Sequence, residues 1–132
     1  MSLILVADDD ELVREVVQNT LSEQGHVVGL VSNGEEAVQA FEAKLPDLVI
    51  LDCSMPELSG VDALRKIRLS PVGSRTPVLM LTARRSSTDE EIASRAGAND
   101  YLRKPFSPIQ LLVRVELLLA KSPLARLSVP SH

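Results

Sequence analysis

Short apolar runs alternate with helix-like stretches along this chain of 132 residues. Leu3-Ile4-Leu5-Val6-Ala7 and Val27-Val28-Gly29-Leu30-Val31 predict strands over 3–7 and 27–31. Leu48-Val49-Ile50-Leu51 and Val78-Leu79-Met80-Leu81 predict strands over 47–51 and 78–81, and Asp100-Tyr101-Leu102-Arg103 a short fifth one. The intervening segments follow the helical period. Over 11–24, Leu12, Val13, Val16, Val17 and Leu21 fall on one stripe, and Gly25 supplies a stop. Asn33-Gly34 opens a second helix with Ala37, Ala40 and Phe41 inward, and Pro46 closes that unit. The loop 55–60 precedes a helix with Leu64 and Ile67 inward, and 71–77 is a turn region. A more polar helix over 88–96 stops at Gly97. Ser107-Pro108 caps a last helix over 109–121, with proline at a favoured first-turn position.

Five strands alternating with five helices imply an α/β fold whose parallel sheet is covered on both faces, a (βα)5 three-layer sandwich. Right-handed crossovers leave few topologies. The flavodoxin-like order 2-1-3-4-5 puts the switch point between strands one and three. Ligands bind at such a point, outside the carboxyl ends of the strands. Strand one ends in Asp8-Asp9-Asp10, strand three in Asp52, strand four in Thr82, and strand five runs into Lys104-Pro105. The topology therefore gathers carboxylates, a hydroxyl and a lysine at one place. Such a cluster suits a hard divalent cation and a carboxylate presented to a phosphoryl group. Taken singly, Asp8, Asp9 and Asp10 also read as a helix cap with acidic first-turn residues, and Asp10 is assigned mainly that role.

Composition narrows the picture. Hydrophobic residues make up 45% of the chain, as in a packed domain. A net charge of −4 without a basic segment argues against nucleic-acid binding by this domain itself. The single cysteine, Cys53, excludes an internal disulfide and is read as a small buried hydrophobe. The start lacks the features of a signal peptide, and no apolar run approaches the ~20 residues that span a bilayer. A cytoplasmic protein that does not enter the membrane is expected. Residues 1–121 are assigned to one domain and 122–132 to a tail or linker stub.

Val6-Ala7-Asp8-Asp9-Asp10, Leu51-Asp52-Cys53-Ser54-Met55-Pro56, Leu81-Thr82-Ala83 and Tyr101-Leu102-Arg103-Lys104-Pro105-Phe106 stand in order at the strand ends. In these blocks the chain resembles the receiver domain of two-component response regulators, over nearly its whole length. The resemblance implies a phosphorylation-dependent switch. Asp52 would accept a phosphoryl group from a histidine kinase or phosphotransfer protein. Mg²⁺ would be held by Asp9, Asp8, Asp52 and the backbone carbonyl of Ser54. Thr82 and Lys104 would hold the phosphoryl oxygens, and Tyr101 would change rotamer with Thr82. Such a domain catalyses only its own phosphorylation and dephosphorylation. Ser54 and Arg84 flank the expected approach of attacking water.

The resemblance carries the signal to the fourth helix, fifth strand and fifth helix. On the last helix Ile109, Val113, Leu117 and Ala120 lie opposite the core stripe of Leu111, Val115, Leu118 and Leu119. That second stripe is a candidate surface for a second copy or an output partner. The chain is also similar to receivers of the winged-helix transcription factor branch, whose dimers use ion pairs on this face. Asp100 and Arg114 match one such pair. Glu90, Gln110, Arg95 and Glu116 depart from the branch pattern. Three arrangements stay open: a stand-alone receiver, the first part of a longer regulator, or a receiver from a hybrid kinase. A Mg²⁺-dependent phosphohydrolase is a second reading, disfavoured because Ser54 stands where a second catalytic aspartate is wanted. A nucleotide- or flavin-binding domain would want a Gly- or Ser/Thr-rich loop where the three aspartates stand. A receiver that binds partners without phosphorylation is countered by the intact Asp52, Thr82 and Lys104.

Overall fold

The computed structural model describes residues 1–83 and 87–121. Arg84 and the expected tail lie outside the described residues. The strands are β1 (Leu3–Ala7), β2 (Val27–Val31), β3 (Leu48–Asp52), β4 (Val78–Thr82) and β5 (Asp100–Arg103). The helices are α1 (Glu11–Glu23), α2 (Gly34–Lys44), α3 (Gly60–Ile67), α4 (Ser87–Ala96) and α5 (Pro108–Lys121). All strand pairs are parallel, in the order β2-β1-β3-β4-β5.

Side chains alternate between the sheet faces, and this alternation creates two cores. Leu5, Val49, Leu51, Val78 and Met80 pack with Phe41, Leu64, Ile67 and Ala93 beneath α2, α3 and α4. Ile4, Val6, Ile50, Leu79 and Leu81 pack with Val17, Leu21, Leu111 and Val115 beneath α1 and α5. Strands β3 and β4 are buried at every position, which explains their unbroken apolar runs. β2 and β5 are edge strands and are partly exposed.

Local chemistry starts the helices where the sequence places them. Asp10 caps α1 by accepting from the Leu12 N–H at 2.9 Å. Ser107 and Gln110 cap the start of α5 reciprocally, at 3.2 and 2.9 Å. Gly97 ends α4 with a φ of 103° that disfavours other residues.

Two side chains on the expected α1 stripe do not face the core. Leu12 is 71% exposed and Val16 42%. The helix docks on β2, α5 and β1; Val17 and Leu21 are its fully buried residues, with Val13 partly buried against the same core. Leu12 and Val16, one helical turn apart, are turned to the flank. There they line a pocket of about 490 Å³ with Asp10, Val13, Lys104, Pro105 and Phe106. On α5, Leu118 and Leu119 are only partly buried, and Leu112 joins them against the core. Among the described residues, no helix is long and apolar enough to cross a membrane.

Candidate functional site

The register of the sheet sets the site. Ala7 pairs with Leu51, Asp52 with Leu81, and Thr82 with Arg103. The residues that leave β1, β3, β4 and β5 therefore emerge side by side. The Lys104 N–H donates to the Thr82 carbonyl at 2.8 Å, extending the β4–β5 ladder past the last strand residue. The peptide bond that follows Lys104 is cis. Gly60, first residue of α3, allows that helix to sit on the end of β3. A Cβ there would lie 1.8 Å from the Asp52 carbonyl oxygen, so no larger residue fits without displacing the Asp52 backbone.

Asp8 and Thr82 are fully buried and Asp52 nearly so, whereas Asp9 is exposed. One carboxylate oxygen from each of Asp8, Asp9 and Asp52 lies within 4.8 Å of the other two. Asp10 is outside this cluster, in keeping with its role as cap. Lys104 Nζ stands 2.8 Å from Asp8 Oδ2 and 3.3 Å from Asp52 Oδ2. Apart from that ion pair, Asp8 Oδ2 has no hydrogen bond among the described residues. Asp8 Oδ1 accepts from the Asp10 N–H at 2.9 Å, and the Asp8 carbonyl accepts from Arg14 Nη1 at 2.7 Å. The Ser54 N–H approaches Asp52 Oδ1 at 3.5 Å, the long limit of a hydrogen bond.

Burial, then the charge of Asp8, pushes the Asp52 carboxyl from 3.8 up to about 6, against the opposing pull of Lys104 and the Ser54 N–H. Burial alone would lower Lys104, but Asp8 and Asp52 outweigh it and hold the ammonium above its ordinary value. One ammonium against three carboxylates leaves a surplus of negative charge in a nearly buried place. Three carboxylates gathered around one point, one of them exposed, suit a hard divalent cation that keeps several waters. Thr82 Oγ1 is buried without a hydrogen-bond partner among the described residues. Buried hydroxyls are normally paired, so this one is free to donate to an incoming oxygen.

Tyr101 lies on edge strand β5 and is 37% exposed. Its ladder partner is Met80, two residues before Thr82, so Tyr101 and Thr82 share a face of the sheet. Ion pairs reach across the face formed by α4, β5 and α5. Arg114 Nη1 donates to Asp100 Oδ1 at 2.7 Å and to the Tyr101 carbonyl at 2.9 Å. Arg103 forms a two-pronged pair with Glu90, which lowers the Glu90 carboxyl and raises the guanidinium. Two of the departing charges of the sequence pattern are engaged locally: Glu90 with Arg103, and Arg95 with Glu91 at 2.8 Å. Glu116 meets His26 at 2.8 Å. Ile109, Val113 and Leu117 are 64%, 49% and 50% exposed, which leaves the second stripe of α5 open in this chain.

Sequence reasoning missed three residues. Arg14 stands on α1 without any motif to mark its bond to a carbonyl. Arg68, just after α3, donates five hydrogen bonds: two to the Gly97 carbonyl and one each to Gly73 O, Thr76 O and Asn99 Oδ1, at 2.5–3.0 Å. Gly60 was read only as part of a loop. Long-range bonds to backbone leave no periodic trace.

The response regulator receiver domain family matches residues 4–116. Among curated relatives, the response regulator MprA of Mycolicibacterium vanbaalenii is 42% identical over 119 residues, covering 90% of this chain and 51% of the relative. The alkaline phosphatase synthesis transcriptional regulatory protein PhoP of Bacillus subtilis is 38% identical over 122 residues, covering 92% and 50%. The chain thus spans about half the length of these relatives. Among solved structures, the receiver domain of sensor histidine kinase PA1611 from Pseudomonas aeruginosa has a magnesium ion coordinated in its active site cleft. It matches with a TM-score of 0.85 at 34% identity, covering 91% of this chain and 98% of that one.

Proposed function

The chain belongs to the response regulator receiver domain family, and on that premise we propose that it is a signalling switch whose state is the phosphorylation of Asp52. The observation that carries this reading is the gathering of Asp8, Asp9 and Asp52 within 4.8 Å with Lys104 bonded across two of them.

The phosphoryl donor is a phosphohistidine of a histidine kinase or phosphotransfer protein. An Asp52 oxygen attacks phosphorus, the P–N bond breaks, and its electron pair returns to the imidazole. The product is an acyl phosphate on Asp52. Asp8, Asp9, Asp52 and the Ser54 carbonyl would hold Mg²⁺, which when bound supplies charge neutralisation at the phosphoryl oxygens. Lys104 exchanges its contact with Asp52 for a phosphoryl oxygen, and its point charge suits that role. The Thr82 hydroxyl, without a hydrogen-bond partner among the described residues, donates to a second oxygen. Because Thr82 and Tyr101 share a sheet face, movement of Thr82 toward the phosphoryl group opens space for the Tyr101 ring. No external substrate is turned over; the domain serves its own phosphorylation and dephosphorylation.

The apolar pocket formed by Leu12, Val16, Pro105 and Phe106 is bordered by Lys104, so a phosphodonor can dock beside the acceptor. The changed state is read on α4, β5 and α5. There the exposed Ile109, Val113 and Leu117 receive a second copy or an output partner, with Asp100 and Arg114 at its rim. A cytoplasmic location fits this role.

Intact-protein mass spectrometry after incubation with acetyl phosphate tests the reading. One added phosphoryl group is expected with Mg²⁺ and none without it or in Asp52→Asn. Label that survives alkali or hydroxylamine, or label on the Asn variant, would sink the assignment. Light scattering on the same samples reads whether the α5 stripe pairs two copies.

A further inference from the structure

We propose that Arg14 is a positioning residue of the acidic site, which sets its affinity for a divalent cation by fixing the main chain between Asp8 and Asp9. The inference rests on the reading of the site as a cation-dependent phosphoacceptor.

Asp8 is held at four points. Its N–H donates to the Val31 carbonyl at 3.2 Å. Its Oδ1 accepts from the Asp10 N–H at 2.9 Å, and its Oδ2 meets Lys104 Nζ at 2.8 Å. Its carbonyl accepts from Arg14 Nη1 at 2.7 Å. The first three come from the sheet, the helix start and the site itself. The fourth comes from a side chain six residues on, reaching back from α1. It is a charge-assisted bond at the short end of the N–H···O range.

The Asp8 carbonyl and the Asp9 nitrogen belong to one planar peptide unit. Fixing that carbonyl therefore fixes the plane that joins the two carboxylates. Asp9 is exposed and lies at the sheet-to-helix turn. Its approach to Asp8 and Asp52 depends on this plane more than on packing. Loss of a group that orients metal ligands from behind typically costs about 10–100-fold in affinity.

The competing account is that Arg14 merely offsets carboxylate charge. The two accounts differ in sign. A guanidinium that offsets charge competes with a cation, so removing it would tighten binding. A guanidinium that aims the ligands supports binding, so removing it weakens it.

Calorimetric titration of Mg²⁺ into the chain, with acetyl phosphate labelling across Mg²⁺ concentrations, separates them. Arg14→Met keeps most of the apolar stem and removes the charged donors. Its Mg²⁺ affinity is expected to fall about tenfold, while labelling at saturating Mg²⁺ returns to within about twofold of the unaltered chain. Arg14→Lys keeps a shorter charged donor and is expected to lose about threefold. Unchanged or tighter binding in Arg14→Met overturns the inference. Thermal melting in chelator checks that each variant folds; if Arg14→Met does not, unchanged affinity in Arg14→Lys overturns the inference instead. Failure of the unaltered chain to bind Mg²⁺ or to be labelled overturns the reading of the site, a different result from failure of Arg14 alone.

Discussion

The floor of the acidic site and the face built from α4, β5 and α5 are made of different material. The floor stands on β1, β3 and β4, whose side chains are almost all buried and packed on both faces of the sheet. The α4–β5–α5 face is held by ion pairs reaching the surface, Glu90 with Arg103 and Asp100 with Arg114, and carries exposed Tyr101. Packed interiors resist small displacements, while exposed ion pairs contribute little and are readily exchanged. The difference teaches how one chain can hold an acidic cluster on a rigid floor while a neighbouring face is tied by exchangeable contacts.

Leu79→Ala attacks the platform, where the side chain is fully buried in the middle of β4. A loss of about 3 kcal/mol is expected in urea denaturation, the usual scale for such a cavity. A loss below about 1 kcal/mol would mean that the platform relaxes far more than its packing implies.

Arg68→Met tests the joint between the two regions. It removes five hydrogen bonds that tie the end of α3 to the end of α4 and the start of β5. Leaving partly buried carbonyls unpaired should cost about 2 kcal/mol. Hydrogen exchange should rise first in the last turn of α4. A uniform rise across the whole chain would show instead that the joint belongs to the platform.

Asp52→Asn removes a destabilising charge from the floor. Asp52 sits at about 6 in the folded chain, above its ordinary 3.8. Its contribution to stability is therefore fully present below 3.8 and is lost as pH rises through about 6. In chelator the Asn variant should exceed the unaltered chain by about 1–2 kcal/mol at pH 7.5, a figure reduced for solvent screening. The gap should close by pH 4. An equal gap at both pH values would remove Asp52 ionisation as its cause.

The smallest effect is expected from Glu90→Gln on the α4–β5–α5 face. Its melting temperature should match that of the unaltered chain. Hydrogen exchange at β5 should quicken, because Arg103 loses its partner. A clear drop in melting temperature would erase the contrast between floor and face.

Much of this was legible in the sequence, for a physical reason. β3 and β4 are buried on both sides, so their apolar runs announce themselves, and the polar residues that end them mark the site directly. Asp52 and Thr82 end these strands, and Asp8 and Lys104 follow β1 and β5; their expected gathering at one end of the sheet is what the structure shows. The α1 stripe was misread in two of its five members because Leu12 and Val16 look like Val17 and Leu21 in hydropathy. Only the docking angle of the helix separates them. Arg14, Arg68 and Gly60 act on backbone oxygens distant in sequence, and a carbonyl has no letter in the alphabet.

Arg68 also changes what the segment after α3 can tolerate. Surface connections usually accept inserted residues, new termini or grafted domains. Here one guanidinium spans the carbonyls of Gly73, Thr76 and Gly97 and the side chain of Asn99, so the chain between them has a set length. A reporter spliced into residues 69–76 would pull on α4 as well as on its own loop. The turn at Leu45, exposed and lying between α2 and β3, offers a gentler place to open the chain.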